Sequence, residues 1–276
     1  MGVDTRLLGL KPTNADATEA RFTLAPHLCR PDGALFGGTG LSAALAAMEM
    51  ASGKPALWST VQFVASASVG EQVECQNALV ARGRYTDQVQ VNGTVDGRLV
   101  FTALGSTATR RDEGISGIGL RMPTVAPVDD SPPFGGNRSR SWSENGEVGH
   151  HRVSEFREAQ LVDSSADNPG HMLTWARITG EACTTAAKLG FLADMVPVAV
   201  CRAIGVAGAG RSLDNSLRVG QLVDTEWVLL EHEGHVADGG YGYGLVHIWS
   251  PDGVLMATGS QTARLFSIES FFGRGQ

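Results

Sequence analysis

The sequence has no apolar run long enough to cross a bilayer, and Met1 to Lys11 carries no apolar stretch of signal-peptide length. Those absences argue against a helical membrane protein and point to a soluble, cytoplasmic chain. Cysteine is scarce. Cys29, Cys75, Cys183 and Cys201 are scattered, with no pair at metal-ligand spacing, which fits reduced thiols and no bound metal. A positive surplus is missing too. The formal net charge of −7 argues against nucleic acid or an anionic membrane as the main partner, because both require a basic surface. An anionic ligand would therefore need a local cluster of arginines. What remains is a normal globular balance, 42% hydrophobic and 18% charged over 276 residues, with room for one large domain or two ordinary ones.

Between Arg111 and Asn145 large apolar residues thin out, and four of the eleven prolines gather (Pro123, Pro127, Pro132, Pro133). Such a stretch has little to bury and much to break regular structure, so it reads as a linker. The expected organisation is an N-terminal domain over 1–110, a linker over 111–145 and a C-terminal domain over 146–276. Each half has the same order. A short strand (Arg21 to Leu24) leads to an apolar helix near Thr39 to Met50, with Leu41, Ala44, Leu45 and Met48 on one face. Strand-like runs follow near 57–64, 72–80, 85–95 and 99–104. In the second half a strand near Met172 to Ile178 precedes a helix expected from Glu181 to Met195. Further runs lie near 212–219, 227–233, 241–249 and 254–262. Asp96-Gly97 with Gly105-Ser106 in the first half answers Asp252-Gly253 with Gly259-Ser260 in the second. One helix followed by four antiparallel strands is an α+β unit, and joining two such units edge to edge removes exposed strand edges.

Six segments carry a family resemblance. They are Gly33-Ala34-Leu35-Phe36-Gly37-Gly38, Ser59-Thr60-Val61-Gln62-Phe63-Val64, Phe191-Leu192-Ala193-Asp194, Ser212-Leu213-Asp214-Asn215-Ser216-Leu217, Glu226-Trp227-Val228-Leu229-Leu230 and Asp252-Gly253-Val254-Leu255 with Gln261. In this order and spacing the chain resembles the double-hotdog, type II acyl-CoA thioesterases, over about Thr5–Arg110 and Arg152–Phe266. The resemblance implies an α+β tandem hotdog, each unit an antiparallel sheet wrapped around a central helix. It also implies an acyl-CoA substrate, no cofactor, and a homodimer or larger homo-oligomer. In that family an Asp, a Thr or Ser, and a Gln orient the water that attacks the thioester; carried over, these become Asp194, Ser212 and Gln261. Ser212 replaces the family's frequent Thr and keeps the hydroxyl.

The residues themselves bear on the same roles. A carboxylate in the last turn of an apolar helix opposes the macrodipole, so local propensity does not explain Asp194, whereas a desolvated base would. Its alternative is a solvated helix end. Ser212 can bridge Asp194 and water, although Asp214 and Ser216 share its face at period two and compete for the role. Gln261 can hold water without taking its proton, and the first half lacks an amide near Thr107 or Ala108. Gly37 and Gly38 open the first helix, where unpaired backbone N–H groups can stabilise an oxyanion; otherwise they only make a turn.

Several other signals carry no function on their own. His232-Glu233-Gly234-His235 lacks the spacing of a zinc helix and reads as a solvated turn. Gly205 to Gly210 has no Lys-Ser/Thr after it, so it is no phosphate loop. His150-His151 reads as exposed loop. Arg30, Arg110, Arg111 and Arg264 are individually ordinary surface arginines that a CoA phosphate could meet. No Gly-x-Ser-x-Gly elbow is present, which counts against an α/β-hydrolase thioesterase. The function expected is hydrolysis of fatty acyl-CoA; the alternatives are a non-catalytic acyl-CoA binding protein and a hotdog enoyl-CoA hydratase.

Overall fold

Strict alternation of buried and exposed residues, as in Glu19–Thr23 where Ala20 and Phe22 point inward, sets one sheet face toward a core and leaves the other outside. In the computed structural model the described residues are 6–135, 146–162 and 169–268. The first half contributes β1 (Lys11–Pro12), β2 (Glu19–Thr23), α1 (Gly37–Ser52), β3 (Ala56–Phe63), β4 (Gln72–Arg82), β5 (Thr86–Val95) and β6 (Arg98–Ala108). The second contributes β7 (Ser154–Glu158), β8 (His171–Ile178), α2 (Ala186–Leu192), α3 (Val196–Ala203), β9 (Gly208–Val219), β10 (Val228–Asp238), β11 (Tyr241–Trp249) and β12 (Leu255–Ser267).

All twelve strands form one antiparallel sheet in the order β1-β2-β4-β5-β6-β3-β9-β12-β11-β10-β8-β7. The halves meet where β3 pairs with β9, Val61 opposite Asn215. Each half thus hides one edge against the other, as the tandem α+β reading anticipates. Helix α1 is built almost wholly from Ala, Gly, Leu and Met and is buried on nearly every side, because the sheet covers one face and α2 packs on another. It ends at Gly53, whose φ of 72° lets its N–H cap the Glu49 carbonyl.

Both halves carry the same register shift at the strand that joins them. In the first, Leu57 is passed over between Ala56 and Trp58, which face Thr107 and Ser106. In the second, Leu213 is passed over between Ser212 and Asp214, which face Ala263 and Thr262. Such a bulge reverses the in–out phase of the strand beyond it. It also makes Gly105, opposite Ser59, the counterpart of Gln261, opposite Asn215. The position therefore falls before Thr107 and Ala108, where the sequence pattern had set it.

Three other expectations change. The helix expected over 181–195 is two helices: Thr185 caps α2 by accepting from the Lys188 amide, and the chain turns at 193–195 before α3. Pro197 falls in the first turn of α3, where its missing N–H leaves no bond unmade, so it opens a helix instead of ending one. The His232–His235 segment lies in β10, with His232 fully buried and its basicity pushed down to about 3 by that burial. The segment expected to be a linker also packs against the second half. Met122, Val125 and Val128 lie on the outer face of the second half, against Trp175, Leu229 and Trp249, and the Trp175 indole donates to the Ala126 carbonyl at 2.9 Å.

Trp175→Ala is expected to lower the unfolding free energy by about 3–5 kcal/mol and to open residues 122–134 to limited proteolysis. Trp175→Phe should lose only about 1 kcal/mol, the worth of one hydrogen bond. Chemical unfolding and protease mapping of the two variants read this directly.

Candidate active site

Helix α2 docks closely on α1 because Gly190 leaves space for Leu41 and Leu45. That contact carries the turn after Leu192 to the N-terminal end of α1, and Asp194 in this turn is only 7% exposed. Its Oδ2 accepts the Gly38 backbone N–H at 2.7 Å. Its Oδ1 accepts from Ser212 Oγ at 3.2 Å, from Asn215 Nδ2 at 3.1 Å and from Gln261 Nε2. Gln261 Nε2 also donates to Ser212 Oγ at 2.8 Å. A Cβ added at Gly37 would lie 2.5 Å from Ser212 Oγ and 2.7 Å from Asp194 Oδ2. Glycine is therefore required here so that the helix backbone can approach the carboxylate.

The residues expected from the sequence, Asp194, Ser212, Gln261, Gly37 and Gly38, thus come together from both halves of the chain. Two details differ. The Gly38 amide, expected to face an oxyanion, is instead engaged by Asp194. Asn215 joins the cluster, whereas Asp214 and Ser216 do not: Asp214 accepts the Thr262 amide at 2.7 Å and Ser216 Oγ pairs with Ser260 Oγ at 2.8 Å. The bulge at Leu213 is the reason. It breaks period-two alternation, so Ser212 and Asn215 share the inner face. Asn215 stands within one of the motif segments, but strict alternation puts it on the wrong side.

Burial raises the Asp194 carboxyl to about 6, against the lowering effects of the Gly38 amide, Gln261, Ser212 and the charge of Arg30. The helix end that Asp194 meets is the positive N-terminus of α1, which favours its charged form, rather than the C-terminal carbonyls expected from a single long helix. Gln261 Oε1 is buried with no hydrogen-bond partner among the described residues. Phe36, just before Gly37, stacks on the His150 ring at 4.3 Å and meets Phe191 edge-on at 5.3 Å. His150 is thus packed over the start of α1, its basicity pushed down to about 4 by burial, and not on an exposed loop. Arg110 donates to the Val219 and Gly220 carbonyls and Arg111 lies over the Tyr85 ring, so both have structural work away from Asp194.

A carboxyl that ionises at about 6 when folded and near 3.8 when unfolded binds more protons in the folded state between those values. Stability must then fall as pH rises across that window, by about 3 kcal/mol in all, and the loss persists at neutral pH. Asp194→Asn is expected to remove this slope. Urea unfolding at pH 4.5 and 7.5 should show the variant gaining on the native chain at the higher pH; a pH-independent difference would mean that the carboxyl does not titrate there.

The segment 123–265, more than half of the chain, matches a family model described as the acyl-CoA thioesterase C-terminal domain. Among solved structures, a putative thioesterase from Novosphingobium aromaticivorans is 30% identical, with a TM-score of 0.80 over 92% of this chain and 97% of that one. Two others share the fold at lower identity. A putative thioesterase II from Thermobifida fusca is 17% identical (TM-score 0.77, 93% and 95% covered), and an acyl-CoA thioesterase II from Mycobacterium marinum is 16% identical (TM-score 0.74, 95% and 96% covered). No curated protein matches the sequence. With a family match across more than half its length and a 30% identical relative along nearly all of it, this chain belongs to the acyl-CoA thioesterases, thioester hydrolases of the hotdog fold.

Proposed function

We propose that the protein hydrolyses fatty acyl-CoA to a free acid and CoA, with Asp194 as general base. In this reading residues 1–110 and 146–276 are the two hotdog domains and 111–145 the linker, and the site draws on both domains. The observation that carries it is the unequal use of the two carboxylate oxygens. Among the described residues, Oδ1 accepts from three side chains and Oδ2 from the Gly38 amide alone. Oδ2 therefore keeps a lone pair for a water proton.

A water hydrogen-bonded to Oδ2, its second proton toward Gln261 Oε1, adds to the thioester carbonyl carbon as Asp194 takes a proton. The new oxyanion is met by the Gly37 amide at the positive end of α1. Collapse breaks the carbon–sulfur bond, and the thiolate leaves with the proton held by Asp194. Ser212 donates to Asp194 and accepts from Gln261, which fixes both partners instead of touching the carbonyl. A carboxyl ionising at about 6 is charged at neutral pH yet more basic than an exposed one, which suits proton abstraction. No histidine bonds to Asp194 among the described residues, which favours hydrolysis over the hydratase alternative with its Asp–His pair.

Thiol release from a series of acyl-CoAs tests the reading. Asp194→Asn is expected to lower kcat by roughly 10²–10⁴-fold, and native kcat/KM should decline below pH about 6 as the carboxyl protonates. Ser212→Ala, which removes a donor to the charged form, should move that limb to higher pH. Unchanged turnover in Asp194→Asn would discard the site assignment. Tight acyl-CoA binding without any thiol release would instead make the protein a binder.

A further inference from the structure

Strand β9 outruns its neighbour. Its ladder with β3 covers only Asp214 to Arg218, whereas its ladder with β12 continues back to Gly208. Among the described residues, the first residues of β9 therefore have a strand on one side only. On the other side comes the loop that leads into α1, where Arg30 grips Asp32 through Nε at 3.1 Å and Nη2 at 2.8 Å. Arg211, 59% exposed, reaches toward the same carboxylate at 4.0 Å. Arg264 is the direct cross-strand partner of Arg211, and among the described residues it has no ion-pair partner.

Two like charges directly opposite on a ladder destabilise it, and a chain of net charge −7 has no general surplus of positive charge to place here. Asp32 is held by Arg30 and only approached by Arg211, and Arg264 has no acidic partner among the described residues, which leaves two positive charges poorly matched. The cluster also borders the reacting centre. Arg211 precedes Ser212 and Arg264 follows Ala263, the cross-strand partner of Ser212, so alternation turns both arginines outward, to the exposed rim beside the site, while the charge of Arg30 is felt at Asp194. Guanidinium forks match phosphate oxygens two at a time.

We infer that Arg30, Arg211 and Arg264 form the rim that grips the phosphate groups of the CoA moiety while the thioester reaches Asp194. This rests on the hydrolase reading above. The rim supplies ground-state binding, and so acts mainly on KM. Arg110 and Arg111 take no part, being held elsewhere.

The test compares an acyl-CoA with the same acyl group on N-acetylcysteamine, which has the thioester but no phosphate. In the double variant Arg211→Gln, Arg264→Gln, the ratio of kcat/KM for the CoA ester to that for the truncated ester should fall about tenfold, through KM, and the salt dependence of KM should flatten. Arg218→Gln, which removes a positive charge farther along β9, should leave the ratio unchanged. An acyl-dephospho-CoA arm tells whether the 3′-phosphate or the diphosphate is held. A ratio unchanged in the double variant, or lowered as much by Arg218→Gln, overturns the inference while the hydrolase reading stands. If the native chain cleaves neither ester, that reading fails first. CoA binding measured by calorimetry then decides the rim alone, weaker binding in the double variant sustaining it and equal binding overturning it.

Discussion

A carboxylate buried against the first turn of α1 is the constraint on which the rest of the structure depends. Asp194 loses most of its contact with water, and a charge so placed is tolerated only where donors converge on it. Each donor in turn imposes a feature of the fold. The Gly38 amide requires that α1 begin there and that Gly37 carry no side chain. The position of Asp194 requires that α2 stop at Leu192 and the chain turn before α3. Ser212 and Asn215 can both face inward only because β9 is bulged at Leu213. The join of β3 to β9 then fixes the halves relative to each other, so a helix from one reaches a carboxylate from the other.

The same construction is present in the first half without its chemistry. The bulge at Leu57 recurs, yet the positions answering Ser212, Asn215 and Gln261 are Ala56, Ser59 and Gly105. A Cβ at Gly105 would lie 2.5 Å from Met48 Sδ, so the volume that Gln261 uses in one half is filled by a methionine in the other. Glu49, near the end of α1, closes on the Ala56 amide rather than on a helix start. The repeat thus conserves backbone geometry while the polar side chains concentrate in the second half. This accords with a single reacting centre whose walls come from both.

Much of this was legible in the residues. Alternation located the strands to within a few positions, because a half-buried antiparallel sheet writes its two faces directly into the chain. Asp194 stood out as a carboxylate in an apolar run, and Ser212 and Gln261 followed from the motif segments that carry the family resemblance. Asn215 did not, since a bulge depends on the partner strand and leaves no mark in local pattern. The break between α2 and α3 was hidden because Pro197 can end one helix or begin another, and tertiary packing decides which. His232 and His150 were misread as exposed for a related reason: their burial comes from α3 and from the stack on Phe36, contacts remote in sequence. The cross-strand pairing of Arg211 with Arg264 is of the same kind, visible only when the register is known.

The central claim is that burial and four donors together set the Asp194 carboxyl in an unusual state, and direct titration tests it best. Carboxyl-carbon NMR of the chain labelled at aspartate, with Asp194→Asn to assign the resonance, would follow that single group. A midpoint near 6 is expected, moving upward when Asn215 is replaced by Ala and a donor to the charged form is lost. A midpoint at the ordinary aspartate value near 3.8, indifferent to Asn215, would contradict the account.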